Sequence, residues 1–340
     1  MSCLFDAKRI LLHKSYIVFI MNQLTIKFVD FWKGFDHKEN IFTRVLQQKY
    51  NLTILDNTTT IEPQLLIYSA FGSEHIKYNC LKIYYTGEND VPDFNQCDYA
   101  LSAHYLQLGD RHMRMPQYLL YSEYHKILTQ QPAIVSNATK RPFCSVVVSN
   151  STYVSPFRNA FIDAVDNYKP LAYGGAYRNN VGGRVPDKMA FIRNYKFNLA
   201  LENSMVEGYT TEKIVEPMAA STIPIYWGNK SVTKEFNPEA FINAANYDTM
   251  DHAIDAIARI DNDDDAYMKM LCAPKIVSDC RIDWDELLLS FFTHIIEKGR
   301  RYVEPYGYLG HLDYMRQRKE LLYANKWLRK CASAILKRKK

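Results

Sequence analysis

The stretch Tyr195-Lys-Phe-Asn-Leu-Ala-Leu-Glu-Asn-Ser204, followed by Glu207-Gly-Tyr-Thr-Thr-Glu-Lys213 and Ile223-Pro-Ile-Tyr-Trp-Gly228, decides the fold of this 340-residue chain. Its apolar runs 197–201 and 223–227 read as buried strands, joined by a polar turn and a helix over 211–220 that Thr210 or Thr211 can cap. A strand, a helix and a second strand in so short a span make a parallel pair, because parallel strands need a crossover. Glu212 in the first helical turn is ordinary capping chemistry, since an acid complements the dipole there. Lys213 opposes that dipole unless an anion sits between it and the free backbone N–H groups, and a phosphate would supply one. The alternative for Lys213 is a solvated lysine with no partner. Pro217 inside the same helix predicts a kink or an early stop.

Outward from this stretch the same alternation continues. The first half reads as strands 24–30, 52–55, 65–70 and 81–85 with helices 39–50 and 116–128. The second half adds strand 143–149, helix 156–168, a strand around Leu171 and helix 187–195. Two successive βα runs predict an α/β chain with two open, mostly parallel sheets. The polar segment 130–142 is the expected linker. The division is then an N-terminal extension 1–20, a first domain 21–142, a second domain 143–298 and a tail 299–340. Ligands of such sheets bind beyond the carboxyl ends of the strands, so the cleft between the domains is the expected site.

Composition narrows the class. Apolar residues make up 47% of the chain and charged residues 23%, with 13 Gly and 13 Pro, which excludes disordered, collagenous and low-complexity chains. The net charge of +5 hides a split: residues 299–340 carry 12 Lys/Arg against three acids, and residues 1–298 carry 30 against 34. So acidic a body argues against a nucleic-acid-binding core. In 313–340, Leu321, Ala324, Leu328, Ile335 and Leu336 fall on one arc of a helical wheel, and Lys319, Lys326, Arg329, Lys330 and Lys337 on the next. A basic amphipathic helix of this kind lies on an anionic membrane surface; docking on the acidic body and nucleic-acid binding are the alternatives. Seven scattered cysteines with no C-x-x-C predict neither a zinc site nor a disulfide framework and fit a reduced, cytoplasmic chain. The apolar run 10–20 is shorter than the roughly 20 residues a membrane span needs, and no small-residue cleavage site follows it, so 1–20 reads as a loosely held extension.

The motifs resemble those of the bacterial α-1,3/4-fucosyltransferases, glycosyltransferase family 10. They are the Glu202-Asn203-Ser204 turn, the Tyr209-Thr-Thr-Glu-Lys213 helix start and the Ile223-Pro-Ile-Tyr-Trp-Gly228 strand. The likeness extends through Ser155-Pro-Phe-Arg-Asn-Ala-Phe161, Gly174-Gly-Ala-Tyr-Arg-Asn179, Tyr84-Tyr-Thr-Gly-Glu-Asn89 and Arg114-Met-Pro-Gln-Tyr118, and covers roughly residues 24–295. It implies a GT-B architecture, two Rossmann-like domains facing a cleft, with the acceptor side first and the donor side second. It also implies transfer of L-fucose from GDP-fucose to a sugar hydroxyl with inversion, with no cofactor or metal required because basic side chains replace the metal.

Individual residues can be read in both lights. Glu88 lies in a turn just past strand 81–85, where such a sheet places its ligands, and matches the family's base; a turn carboxylate in water is the alternative. Arg158 sits in the first turn of helix 156–168, where a cation is unfavourable unless an anion compensates it. By resemblance, Arg158 and Lys213 hold the diphosphate, and Tyr209 and Glu212 contact the nucleoside or sugar of the donor. Asn203 orients the turn or reaches the donor, and Glu202 is a second carboxylate that orients Lys213 or is structural. Arg178 and Asn179, between Gly174-Gly175 and Gly182-Gly183, read as a loop near the donor or a plain surface loop. Asp261-Asn-Asp-Asp-Asp265 has the D-x-D spacing of metal-dependent transferases, but its place between helices favours a cap with solvated acids.

The expectation is therefore an inverting fucosyltransferase on the cytoplasmic face of a bacterial membrane. Its acceptor would be N-acetylglucosamine, 3-OH preferred, in a surface glycan such as an O-antigen or Lewis-type N-acetyllactosamine. A transferase for another nucleotide sugar, or a nucleotide-binding membrane adaptor without transfer activity, are the alternatives.

Overall fold

The apolar segments assemble as two parallel sheets in a computed structural model. It describes residues 22–56, 58–129, 136–149, 152, 154–277 and 282–301, together with 325, 327, 328, 330, 331 and 334. The first domain runs β1 (Asn22–Val29), α1 (Ile41–Leu46), β2 (Tyr50–Leu55), β3 (Leu65–Tyr68), β4 (Leu81–Tyr85), β5 (Tyr99–Ser102), β6 (His112–Arg114) and α2 (Ser122–Thr129). Its strands lie in the order β2-β1-β3-β4-β5-β6. The second domain runs β7 (Cys144–Val146), α3 (Pro156–Tyr168), β8 (Leu171–Tyr173), α4 (Lys188–Ile192), β9 (Phe197–Leu201), α5 (Glu212–Ala219), β10 (Ile223–Trp227), β11 (Ile242–Asn243), α6 (Met250–Asp261) and α7 (Asp264–Cys272), with strand order β11-β10-β9-β7-β8. The named pairings in both sheets are parallel. Every residue of β3, β4, β9 and β10 is buried, which is why these strands read as mostly apolar runs, broken only by the buried Lys82 and Asn198, and not as alternation.

Local chemistry sets the element ends. Helix α1 is shorter than the predicted 39–50: Asn40 caps it through the Phe42 and Thr43 amides, and Thr43 returns a bond to the Asn40 amide. The segment predicted as one helix over 116–128 divides into a 3-10 turn, Gln117–Leu120, and α2, with Tyr121 at the break. Helix α4 is capped by Asp187 and spans five residues, against nine predicted. Helix α5 runs through Pro217 to Ala219, with Ala220 as its C-cap, so the early stop does not occur; proline only forgoes the bond its amide would donate to the preceding turn.

The sequence-based division is corrected at its C-terminal boundary. Helix α8 (Trp284–Lys298) was assigned to the second domain but packs on the first. Its buried stripe of Trp284, Leu288, Phe292 and Ile295 joins the core of the first domain, where Phe292 meets Phe42 edge-on and Phe291 meets Tyr99. Arg44 pairs with Asp285 at its start. Arg301, assigned to the basic tail, is likewise held by the first domain. Its amide donates to Asp98 at 2.6 Å, its Nε to the Tyr99 hydroxyl at 3.0 Å and its Nη2 to Asp110 at 2.7 Å. Position in the chain does not decide ownership of a helix; the complementary apolar surface does. Extension 1–20 lies outside the described residues, as does the predicted helix 313–340 apart from the six residues given above. Among the described residues no helix is long and apolar enough to cross a membrane.

The two domains share apolar surface as well. Ile214, Val215 and Met218 of α5 belong to the same core as Tyr118, Tyr124 and Ile127 of the first domain. Truncating the fully buried Phe292 should cost about 3–5 kcal/mol, because a void would open where α8 meets α1. Phe292→Ala should therefore lower the denaturant midpoint clearly; an unchanged midpoint would show that α8 contributes nothing to the first domain.

Candidate active site

The turn after β9 organises the site. Glu202 is completely buried, and its carboxylate accepts from the Thr211 amide at 2.7 Å and from the Thr211 hydroxyl at 2.8 Å. Thr211 in turn caps α5 by accepting from the Lys213 amide. The adjacent Asn203 serves another helix: its carbonyl accepts from the Ser155 amide at 2.7 Å, and its side-chain oxygen accepts from Arg158 Nη1 at 2.5 Å. Two successive residues of one turn thus hold the N-termini of α3 and α5, each with a cation in its first turn. Converging helix N-termini and fixed cations are the arrangement that receives a diphosphate.

Lys213 is not a solvated lysine. Its Nζ lies 2.9 Å from the Thr211 hydroxyl, 3.3 Å from Glu202 and 3.4 Å from Glu212. Burial disfavours its charge, but Glu202 and Glu212 outweigh that and hold its pKa above the ordinary lysine value. Burial likewise opposes ionisation of Glu212, yet Lys213 and Lys188 keep its pKa below the ordinary carboxyl value. Burial lowers the pKa of Arg158, with Glu202 acting against it. The Tyr209 phenol, almost wholly buried, is raised first by burial and then by Glu202, with Glu88 and Glu212 adding to the shift.

Glu88 belongs to the first domain and lies within electrostatic reach of that phenol. Glu88 is exposed, one turn past β4, and its amide donates to the Thr86 hydroxyl at 3.0 Å. The neighbouring Asn89 closes the gap by donating to the Ser204 hydroxyl at 2.8 Å and pairing with His104 at 3.0 Å. Tyr121, a residue the sequence reading missed, lies within electrostatic reach of both Glu212 and Glu88. Burial raises its pKa, followed by Glu212, Glu216 and Glu88. Tyr121 also lines a cavity of about 370 Å³ in the first domain, with Trp32, Phe35, Asp36, Glu39 and His125. No helical periodicity could have marked Tyr121, because it sits at the break between two helical segments.

Other predicted residues lie elsewhere. Arg178, at a positive φ of 52°, pairs with Asp163 on α3 and stacks on Tyr177. The Asn179 amide donates to the carbonyls of Tyr173, Gly175 and Gly183, and its oxygen accepts from the Gly183 amide, so it shapes the loop. The reading of 261–265 as solvated acids holds only in part. Asp263 caps α7 through the Ala266 amide, but Asp261 is buried and paired with Lys169 and with Lys196 at 2.8 Å. The described residues hold no group of three or more His, Cys, Asp or Glu placed to bind a metal ion.

Glu216, buried on α5 and paired with Lys188, was also missed; a helical glutamate one turn past Glu212 carries no sequence signal. Burial pushes its pKa up from 4.5 to about 6, with Lys188 acting against the shift. The folded chain therefore binds more protons than the unfolded chain between these values. Its contribution to stability should fall as pH rises from 4.5 through about 6 and stay flat above. Denaturant midpoints across that range should show the fall, and Glu216→Gln should remove it; a slope unchanged in the variant would assign it to another group.

Comparison with known proteins fits this geometry. Residues 26–121 match the family model described as the alpha-(1,3)-fucosyltransferase FucT N-terminal domain, and residues 136–272 match that of glycosyltransferase family 10 (fucosyltransferase) C-term. The alpha-(1,3)-fucosyltransferase FucT of Helicobacter pylori is 34% identical over 271 residues, which are 69% of this chain and 56% of that relative. The chain thus spans little more than half the length of that curated relative. An α1,3-fucosyltransferase crystal structure with GDP-fucose superposes with a TM-score of 0.71 at 30% identity, over 83% of this chain and 93% of that one. A second crystal structure, with GDP, gives a TM-score of 0.69 at 31% identity, over 84% and 92%. With both domains matched in order and nearly the whole of a solved member covered, the chain belongs to glycosyltransferase family 10, the fucosyltransferases, and has their GT-B fold.

Proposed function

We propose that the chain is an inverting fucosyltransferase that moves L-fucose from GDP-fucose to a hydroxyl of N-acetylglucosamine, the 3-OH preferred, in a surface glycan such as an O-antigen or Lewis-type N-acetyllactosamine. The observation that carries this reading is the pair of cations fixed at the starts of α3 and α5, with an exposed carboxylate, Glu88, on the turn whose Asn89 bonds to Ser204 beside Asn203. Glu88 takes the proton of the acceptor hydroxyl as that oxygen attacks the anomeric carbon of fucose. The bond from this carbon to the diphosphate breaks on the opposite face, which inverts the centre and leaves GDP with an added negative charge. Arg158 and Lys213, at the N-termini of the two helices, meet that charge. Asn203 holds Arg158, and Glu202 with Glu212 holds Lys213, so the cations need little reorganisation as charge develops. Tyr209 and Glu212 hold the sugar or nucleoside part of the donor.

The cavity beside Tyr121 supports a sugar acceptor, because Trp32 and Phe35 offer aromatic faces and Asp36 and Glu39 offer hydrogen-bond acceptors for hydroxyls. Glu88→Gln should lose about 100- to 10,000-fold in transfer from GDP-fucose to N-acetyllactosamine while its GDP affinity stays unchanged. Transfer at the normal rate would remove Glu88 as the base. Stabilisation by a different nucleotide, with none by GDP, would favour another nucleotide sugar; GDP binding without transfer by the unaltered chain would favour an adaptor.

The charge split supports a second proposal, that 313–340 holds the enzyme on the anionic cytoplasmic surface of the membrane, beside a lipid-borne acceptor. The chain lacking 313–340 should stop sedimenting with phosphatidylglycerol vesicles yet keep its rate on a soluble acceptor. Unchanged sedimentation would assign membrane attachment elsewhere or nowhere.

A further inference from the structure

Arg114 ends β6 in the first domain, yet most of its bonds cross to the second. Nη1 and Nη2 grip the two carboxylate oxygens of Glu235 at 2.6 and 3.0 Å. Nη2 also donates to the Gly208 carbonyl at 3.1 Å, while Nε donates at home to the Ala103 carbonyl at 3.0 Å. The guanidinium lies 4.5 Å from the centre of the Tyr105 ring. The ion pair is largely buried, with side-chain exposures of 12% and 9%. A forked pair in such surroundings is directional, and a lysine cannot reproduce it from one nitrogen.

What this fork holds is the entry to the donor-binding segment. Gly208 has φ +89°, and a Cβ there would lie 2.3 Å from the Ala103 carbonyl oxygen, so the first domain touches the Gly208 backbone directly. Tyr209 comes next, and Thr211, Glu212 and Lys213 follow. From the second domain, Asn229 accepts from the Gly208 amide at 2.8 Å and donates to the Thr210 hydroxyl at 3.0 Å. The segment is thus held between Asn229 of its own domain and Arg114 with Ala103 of the other.

We propose that Arg114 is a positioning residue for the donor: through Gly208 and Glu235, the first domain sets residues 209–213 in the conformation that receives GDP-fucose. This rests on the reading of Tyr209, Glu212 and Lys213 as donor ligands. The second domain then does not complete its nucleotide site alone, and donor affinity depends on a residue of the acceptor side. A purely structural ion pair would act on stability and leave nucleotide affinity unchanged.

The test is GDP titration calorimetry on the full chain, with KM values for GDP-fucose and N-acetyllactosamine. Arg114→Lys keeps the charge but loses the fork; it should weaken GDP binding about tenfold or more and raise the GDP-fucose KM while the acceptor KM stays within about twofold. Gly208→Ala, which pushes the segment off Ala103 and loosens the Arg114 bond to the Gly208 carbonyl while leaving the Arg114 and Glu235 side chains intact, should shift the same two quantities. If Arg114→Lys fails to fold, Glu235→Gln, which keeps the shape and one acceptor oxygen, must still weaken GDP binding by about threefold. Normal GDP affinity in these variants, whatever their melting temperatures, would overturn the proposal. Lys213→Ala separates the two readings: if it binds GDP normally, the donor assignment itself fails.

Discussion

A carboxylate with no access to water, Glu202, is the feature on which the rest of the site depends. Leaving such a charge unpaired in the interior costs several kcal/mol, so its surroundings have to answer it. Thr211 does so with two donors and Lys213 with a cation, and both belong to the first turn of α5. The orientation of that helix is therefore tied to the end of β9. The neighbouring Asn203 ties α3 to the same turn through Ser155 and Arg158. Two cations that would be unfavourable at helix N-termini by themselves are held there by acceptors already in place.

This arrangement keeps the local charge near balance before a donor arrives. Lys213 faces Glu202 and Glu212, and Arg158 faces Asn203 with Glu202 nearby. An acidic body is thus compatible with the proposed anionic donor, because a few placed cations act at short range where the mean surface charge does not. The first domain contributes more than an opposite wall. Helix α8 returns to it, α2 packs on α5, and Asn89 and Arg114 bond across, one to the turn that holds both cations and the other to the loop that leads to Tyr209.

Much of the fold was legible because some segments carry their own specification. The boundaries of β4, α3, β9 and β10 were read to the residue, since apolar runs bounded by turn residues, or a proline at a helix start, leave little choice. Strands β5 and β6 were missed because Tyr-Ala-Leu-Ser and His-Met-Arg carry no clear apolar run and become strands only through their neighbours in the sheet. Helix 116–128 was read as continuous because its spacing is helical throughout, while Tyr121 turns extended between the two parts. The site shows the same division. Glu202, Asn203, Tyr209, Glu212 and Lys213 are adjacent in the chain and were visible as a motif; Tyr121, Glu216 and Glu235 come from three separate places.

By itself the sequence determined the α/β class, the two parallel sheets, the family and the short-range cluster around β9 and α5. Hydrophobic period, caps and contiguous motifs are local quantities, so the chain carries them before it folds. Only the tertiary structure decided that α8 belongs to the first domain and that Asp261 is a buried ion-pair partner. It also decided that Arg114 reaches Gly208 and that Asn89 reaches Ser204. Each depends on which apolar surface or buried charge finds a partner far away in the chain, and that complementarity exists only once both partners are packed.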